Sequence, residues 1–216
     1  MAEDRKPYRR ESEAKRRRAL IAATLSLVSE GGARAATVRA IADRAGVTAG
    51  LIRHYFQTKE ALIAAAFLDL MTTMTEDNMA ALNLAPSDPH ARLVAFVDAA
   101  LRPPVADRDS VVRWASFVQE ASRNPVMLEI HRTTYEDYRN HLRDLIAALP
   151  TKRDDAELRQ LAIACNALID GLWLAVGTLP QTFARGELVR VAVRAIGAIL
   201  GLDLQRYLLL SGPPNL

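Results

Sequence analysis

The stretch that decides the fold is TVRAIADRAGVTAGLIRHYF, residues 37–56. Apolar positions recur at three- and four-residue steps on both sides of Gly46, and a threonine stands just before each half. Threonine favours the position before the first turn of a helix, and glycine adopts the left-handed conformation that ends one. The spacing therefore predicts two short helices joined by a tight turn, one over 38–45 and one that follows Thr48 and runs through Phe56.

Helical periodicity continues from Glu11 almost to the end of the chain, and no alternating β-branched run indicates a strand. We expect an all-α fold of about nine helices, with prolines marking the boundaries and a long helix over 59–84 capped by Thr58. The predicted organisation is a three-helix domain with a helix-turn-helix over 1–58, a second helical domain over 59–204, and a disordered tail over 205–216.

The charge of the chain is concentrated at the N-terminus. Residues 1–60 carry 13 Lys and Arg against 7 Asp and Glu, whereas the remainder carries 15 against 18. A basic N-terminal region on a slightly acidic body indicates that this region alone binds a polyanion. The alternative is a solvated basic face.

A helix-turn-helix reads the major groove of DNA with the exposed side of its second helix. Arg53 matches the paired acceptors of guanine, although it could equally bind a phosphate. His54 and Tyr55 suit backbone or thymine-methyl contacts, or are packing residues, and hydroxyls and a lysine at the edges suit phosphates. The predicted DNA-binding residues are Thr37, Arg39, Thr48, Ala49, Gly50, Arg53, His54, Tyr55 and Lys59.

The run TVRAIADRAGVT at 37–48, followed by HYFQTKEAL at 54–62, resembles the signature of the TetR family of transcriptional regulators. The resemblance covers about 50 N-terminal residues. It implies a one-component regulator, in most such proteins a repressor, that binds double-stranded operator DNA. One departure is Arg53, which stands where most of the family carries an aromatic residue and could shift the operator preference.

Two C-terminal stretches, 158–176 and 188–202, are apolar around much of their circumference and are rich in small residues. A helix that is apolar on more than one face must be covered on more than one face. A homodimer joined through a four-helix bundle would cover them, and the alternative places both helices inside one monomeric core. The small residues are Ala162, Ala164, Ala167, Gly171, Ala192, Ala195 and Ala198.

The second half also holds both tryptophans and an isolated carboxylate in an apolar run. Aromatic side chains at helical spacing, together with a carboxylate, are what an organic cation requires of a binding cavity. The alternative is ordinary aromatic core packing. The predicted ligand-binding residues are Trp114, Phe117, Tyr135, Tyr138, Asp170 and Trp173.

The segments RWASF at 113–117 and ALIDGLWL at 167–174 resemble the C-terminal domain of the BetI-like branch, whose namesake responds to choline. The resemblance implies choline or another organic cation as effector. Val118 departs from the branch, because the namesake has a further aromatic residue there. We expect the effector to move the helix over 59–84, to change the separation of the two DNA-binding domains, and so to release a palindromic operator.

Other functions find little support in the sequence. The four histidines lie on separate segments with no metal-binding spacing, so we expect no enzyme, no metal and no cofactor. Cys165 has no partner cysteine, and we interpret it as a buried core thiol. No uninterrupted apolar run is long enough to span a membrane, so we expect a cytoplasmic protein. An architectural DNA-binding protein without a ligand remains the second hypothesis.

Overall fold

The computed structural model describes the backbone of residues 5–210 and the side chains of residues 13–208. Within that range the chain forms nine α-helices, two short 3-10 helices and no strand, which confirms the predicted all-α fold. The 3-10 helices are Pro180–Thr182 and Gln205–Leu210. The α-helices are α1 (Arg5–Gly31), α2 (Val38–Ala45), α3 (Ala49–Phe56), α4 (Lys59–Leu84), α5 (Pro89–Ala100), α6 (Arg108–Ala121), α7 (Pro125–Ala147), α8 (Asp155–Thr178) and α9 (Glu187–Leu200).

Caps set the ends of the helices around the turn at Gly46. The Thr37 hydroxyl accepts a hydrogen bond from the third amide of α2 at 3.2 Å, and the Thr58 hydroxyl accepts one from the third amide of α4 at 3.0 Å. Gly46 ends α2 with a φ of 65°, in the left-handed region. Thr48 precedes α3 in an extended conformation, but its side chain makes no capping hydrogen bond, so the predicted hydroxyl cap at this position is wrong.

Prolines begin two of the later helices, as predicted. Pro89 starts α5 and Pro125 starts α7, because an amide of the first helical turn has no partner within the helix and can be dispensed with. Asp88 caps α5 by accepting two backbone hydrogen bonds, at 2.9 and 3.0 Å. α1 begins at Arg5, earlier than the predicted start at Glu11.

The predicted tail is partly ordered. Residues 205–210 form a 3-10 helix rather than a disordered segment, and this helix packs on α5 and α9. Tyr207 stacks on His90 with 5.1 Å between ring centroids. Leu204, the residue before this 3-10 helix, is buried, so the segment covers apolar surface. Residues 211–216 of the predicted tail lie outside the described part of the chain.

The chain divides into two compact units, and the division does not follow the predicted boundary between residues 58 and 59. The first unit contains residues 1–71 and 112–131. Its core is formed by α1 to α3, the first part of α4, most of α6 and the start of α7. The fully buried large side chains of this unit include Leu20, Ile41, Leu62, Phe67, Phe117 and Met127. The functional boundary at residue 58 stays a prediction.

The second unit contains residues 72–111 and 132–216 and is built around α5, which is buried on nearly every side. The helices α8 and α9 pack against each other and against α5. Gly177 of α8 is buried where that helix approaches the first turn of α6: a Cβ added there would lie 2.6 Å from the Val111 Cβ. Glycine is therefore required for this close approach.

Length and composition alone would allow α8 to cross a membrane, and 33% of its most apolar window is buried within the protein. One such helix is weak evidence, because core helices of soluble proteins pass the same test. Both α8 and α9 also keep large apolar side chains in solvent, and we call these exposed side chains together the α8–α9 face. Its large members are Ile163, Leu174, Val191 and Ile199, which are between 36% and 44% exposed. Ala162 and Ala192, predicted among the small residues of these helices, are buried inside the unit.

Candidate DNA interface and effector site

The start of α3 is open to solvent. Thr48, Ala49 and Gly50 are exposed, and a Cβ at Gly50 would meet no atom closer than 4.0 Å. Arg53 and His54 are exposed one turn later, whereas Ile52 and Phe56 are buried on the opposite side. The helix thus presents small residues, and then a cation and an imidazole, on one outward side, which is the arrangement that a recognition helix needs.

The remaining predicted DNA contacts surround this surface. Thr37 and Arg39 are exposed at the start of α2, and Arg39 is 3.8 Å from Asp43 in an ion pair with both side chains largely in solvent. Lys59 is half-buried at the start of α4. Tyr55 is half-buried and contacts His54 edge to face, with 4.9 Å between ring centroids. The structure brings these residues into one unit, and their contacts with DNA stay predictions.

A charged hydrogen-bond group holds α2 on α1. The Arg44 guanidinium donates to both carboxylate oxygens of Glu30, at 2.6 and 2.8 Å, and also to the Ser26 hydroxyl. The hydrogen bond from Arg44 lowers the pKa of Glu30 below its ordinary value. Paired donation of this kind fixes orientation as well as distance, so it positions the helix-turn-helix.

Sequence reasoning missed two features beside the recognition helix. Gln57 adopts a φ of 67° and a ψ of −49°, and the Thr58 amide donates to the Phe56 carbonyl at 2.8 Å across it. This is a γ-turn with positive φ, a rare and strained conformation for a residue other than glycine. The second feature is Arg17 of α1, whose guanidinium carbon lies 4.9 Å from the centre of the Phe56 ring. No local sequence signal predicted either.

Two of the predicted ligand-binding residues lie in the first unit. Phe117 is fully buried and stacks on Phe67 with 5.1 Å between ring centroids. Trp114 is half-buried and contacts the His131 ring edge to face at 6.2 Å. Burial lowers the pKa of His131, which favours a neutral imidazole. Trp114 and Phe117 therefore belong to an aromatic group, together with Phe67 and His131.

Three other predicted ligand-binding residues, Tyr135, Tyr138 and Asp170, lie in the second unit. Together with Asn78 and Asn166 they form what we call the polar cluster. The Tyr135 hydroxyl donates to the Asp170 carboxylate at 3.1 Å. The Asn166 amide donates to the same carboxylate oxygen at 2.9 Å and also to the Tyr135 hydroxyl. Asn78 donates to the Tyr138 hydroxyl at 3.1 Å. Sequence reasoning missed both asparagines.

The protonation of the polar cluster follows from its burial. Desolvation raises the pKa of Asp170, and the hydrogen bond from Tyr135 opposes that rise. Burial and the nearby Asp170 charge raise the pKa of both Tyr135 and Tyr138, so both phenols stay protonated and can donate. The cluster combines one carboxylate in a poorly solvated setting with amide and phenol groups, which suits a cation.

Trp173, the sixth predicted ligand-binding residue, has a structural contact. It is 7% exposed, and its indole N–H donates to the Val105 carbonyl at 2.9 Å. Two open grooves of about 670 and 900 Å³ run beside α9 in the second unit, and neither is lined by a predicted ligand-binding residue. Among the described residues no group of His, Cys, Asp and Glu could hold a metal ion. The six ligand-binding assignments stay predictions.

Comparisons with known proteins identify the family. A family model of bacterial regulatory proteins of the TetR family matches residues 20–66, and a model of the C-terminal domain of BetI-type transcriptional repressors matches residues 89–201. The transcriptional regulator BetI of Cronobacter sakazakii is 32% identical over 169 residues, which cover 78% of this chain and 82% of that relative.

Solved structures share the fold. A transcriptional regulator from Pseudomonas aeruginosa PAO1 matches with a TM-score of 0.78 at 28% identity, over 90% of this chain and 94% of that one. A regulator from Saccharomonospora viridis, solved in complex with choline, matches with a TM-score of 0.67 at 22% identity, over 87% of this chain and 96% of that one. The chain therefore belongs to the TetR family of transcriptional regulators, a class of DNA-binding protein rather than enzyme, and carries a BetI-type C-terminal domain.

Proposed function

We propose that this protein is a cytoplasmic homodimeric repressor that binds a palindromic operator through α2 and α3 and releases it when an organic cation binds at the polar cluster. The observation that carries the proposal is the pairing of an outward recognition surface on α3 with a poorly solvated carboxylate, Asp170, in the second unit. Desolvation disfavours the charged form of this carboxylate, and the positive charge of a bound organic cation would stabilise that form.

The DNA-binding step is tested at Arg53. An operator selected from genomic fragments is labelled, and binding is followed by fluorescence anisotropy at several salt concentrations. Loss of a side chain that reads a base costs about 1–3 kcal/mol, so Arg53→Ala should weaken operator binding by roughly 5- to 150-fold. The exposed Arg108 of the second unit gives the matched control, Arg108→Ala, which should leave affinity unchanged. Equal affinity of Arg53→Ala and the wild type would reject α3 as the reading helix.

The homodimer is tested at the α8–α9 face. The four large apolar side chains of this face are exposed on two helices that pack together, and a second copy would cover them with the two-fold symmetry that a palindromic operator requires. Leu174→Glu and Val191→Glu should shift the protein toward monomer in sedimentation velocity. Leu84 is 91% exposed outside this face, so Leu84→Glu is the control and should stay dimeric. Dimers that survive both substitutions would place the interface elsewhere.

The effector step is tested by titrating choline and other organic cations into the protein–operator complex. A coupling free energy of about 1–3 kcal/mol would lower operator affinity by roughly 5- to 150-fold. The choline bound to the Saccharomonospora viridis regulator supports a cation as the first ligand to try. We propose the helix α4 as the element that moves, because it runs from Lys59 beside the recognition helix to Asn78 in the polar cluster. Operator affinity that no cation alters would instead favour an architectural DNA-binding protein.

A further inference from the structure

The polar cluster contains two buried carbonyl oxygens that lack partners. Asn78 and Asn166 are both 0% exposed, and within the described part of the chain no group donates to the Oδ1 atom of either. A buried acceptor without a donor destabilises the folded state, because the group loses its hydrogen bond to water. Buried polar atoms of native proteins are therefore satisfied by protein, ordered water or a ligand. Both oxygens need donors from outside the described residues, that of Asn78 as long as its Nδ2 donates to the Tyr138 hydroxyl.

The orientation of Asn166 follows from its neighbour. Its Nδ2 lies 2.9 Å from the Asp170 carboxylate oxygen. Rotating the amide by half a turn would place Oδ1 against that carboxylate, so two acceptors would face each other without a proton between them. The unpartnered atom of Asn166 is therefore an oxygen, and it lies one helical turn from a carboxylate on the same helix.

The predicted ligand-binding rings of the second unit are already in contact with other groups. Trp173 is buried against Val105, and the Tyr138 ring packs on Phe96 with 5.1 Å between centroids. The guanidinium carbon of Arg139 lies 6.0 Å from the centre of the Tyr135 ring. A quaternary ammonium has no N–H group, so its recognition depends on open aromatic faces. The polar cluster offers hydrogen-bond acceptors instead.

We propose that the effector is a primary or secondary ammonium compound, whose N–H groups donate to Asn166 Oδ1 and Asn78 Oδ1 while Asp170 supplies the opposite charge. The inference rests on the proposed function and narrows its ligand class from organic cations in general to cations that carry N–H donors. Each N–H removed from such a ligand leaves one buried acceptor unsatisfied, so affinity should fall stepwise with methylation of the nitrogen.

The experiment uses one ligand series with a constant hydroxyethyl arm: ethanolamine, its N-methyl and N,N-dimethyl derivatives, and choline. Binding to the full-length protein is measured by isothermal titration calorimetry, and operator release is measured in parallel by anisotropy. A hydrogen bond to a charged group contributes more than a factor of ten in affinity, so ethanolamine should bind at least about tenfold more tightly than choline.

The variant that tests the contact is Asn166→Leu, which keeps the branched shape of the side chain and removes the amide. It should abolish the preference for ethanolamine over choline. The exposed Asn140 of α7 gives the control, Asn140→Leu, which should preserve that preference. Melting curves followed by circular dichroism establish whether each variant is folded, and the wild-type series decides the question by itself if Asn166→Leu is not.

The outcomes separate this inference from the function on which it rests. Ethanolamine binding most tightly and releasing the operator supports both. Choline binding as tightly as ethanolamine and releasing the operator overturns the inference and leaves the proposed function standing. Operator binding that no member of the series affects overturns the inference together with the cationic effector. If all four compounds bind with equal affinity, and Asn166→Leu binds them as the wild type does, the two oxygens are satisfied by buried water. That result overturns the inference as well.

Discussion

Substitution of Gly177 by alanine should destabilise the protein, although alanine favours helices. Gly177 is buried in α8, and an added Cβ would lie 2.6 Å from the Val111 Cβ and 3.1 Å from the Asp107 carbonyl oxygen. Non-bonded carbon atoms ordinarily lie about 3.5–4.0 Å apart. Rotation of the Val111 side chain moves its methyl groups but not its Cβ, so the backbone of α8 or of α6 has to shift.

The size of the effect follows from two opposing terms. Overfilling a packed core costs about 1–3 kcal/mol, and a clash with a Cβ belongs at the upper end of that range. Replacing glycine by alanine inside a helix returns about 1 kcal/mol. The net loss for Gly177→Ala should be about 2 kcal/mol, which lowers the Tm of a chain of this size by roughly 4–8 °C.

The same helix provides the control. A Cβ at Gly171 would meet no atom within 4 Å, so Gly171→Ala should stabilise the protein by about the helix-propensity difference of 1 kcal/mol. Both variants are compared by urea unfolding and thermal melts at one protein concentration, because the stability of a dimer depends on concentration. If Gly177→Ala were as stable as Gly171→Ala, the close approach of α8 to Val111 would be refuted. Destabilisation by Gly171→Ala would indicate that a partner helix fills this space.

Three further predictions concern the turns and the polar cluster. Thr37→Ala should lower the free energy of unfolding by about 1 kcal/mol through loss of the α2 cap, whereas Thr37→Ser should retain the cap. Urea titration of both variants measures the difference, and equal stability would show that the cap contributes nothing. Gln57→Gly should raise the free energy of unfolding by up to about 2 kcal/mol, because relief of about 1–3 kcal/mol of backbone strain exceeds the entropy cost of glycine. A calorimetric Tm below that of the wild type would contradict this prediction. Burial raises the pKa of Asp170 in the folded protein, so folding favours the protonated side chain. The free energy of unfolding should therefore fall as the pH rises from the ordinary pKa of 3.8 through the raised pKa of the folded state. Asp170→Asn should therefore gain more Tm over the wild type near pH 7 than near pH 3, and a gain independent of pH would oppose this assignment.

Local signals predicted α2 because both of its ends have a cause within a few residues. Thr37 caps α2 and Gly46 ends it, and neither depends on distant parts of the chain. The outward position of Arg53 follows from the same helical periodicity. Val38 shows the limit: the same periodicity places it on the inward side with Ile41, yet it is 37% exposed, because the first turn of a helix has fewer neighbours to cover it.

The candidate effector site could be predicted only in part. Asp170 was singled out as a carboxylate in an apolar run, and Asn166 could have been found with it, because residues four apart share one face of a helix. Asn78 lies on a helix far away in sequence, and its partner Tyr138 is set by how α4 and α7 pack, which no local pattern encodes. Trp173 lies three residues after Asp170, yet its indole bonds to Val105 because a buried N–H must find an acceptor.

The continuity of α7 gives the proposed regulation a second physical route. His131 of this helix belongs to the aromatic group of the first unit, and Tyr135, one turn later, belongs to the polar cluster of the second. Four residues of helix rise about 6 Å, and helical elements are among those that carry coupling between sites. We therefore expect recruitment of Tyr135 by a cation to displace His131 as well. If α7 carries the signal, His131→Phe should weaken effector-driven operator release while leaving cation affinity in the DNA-free protein intact, whereas transmission through α4 alone predicts release unchanged.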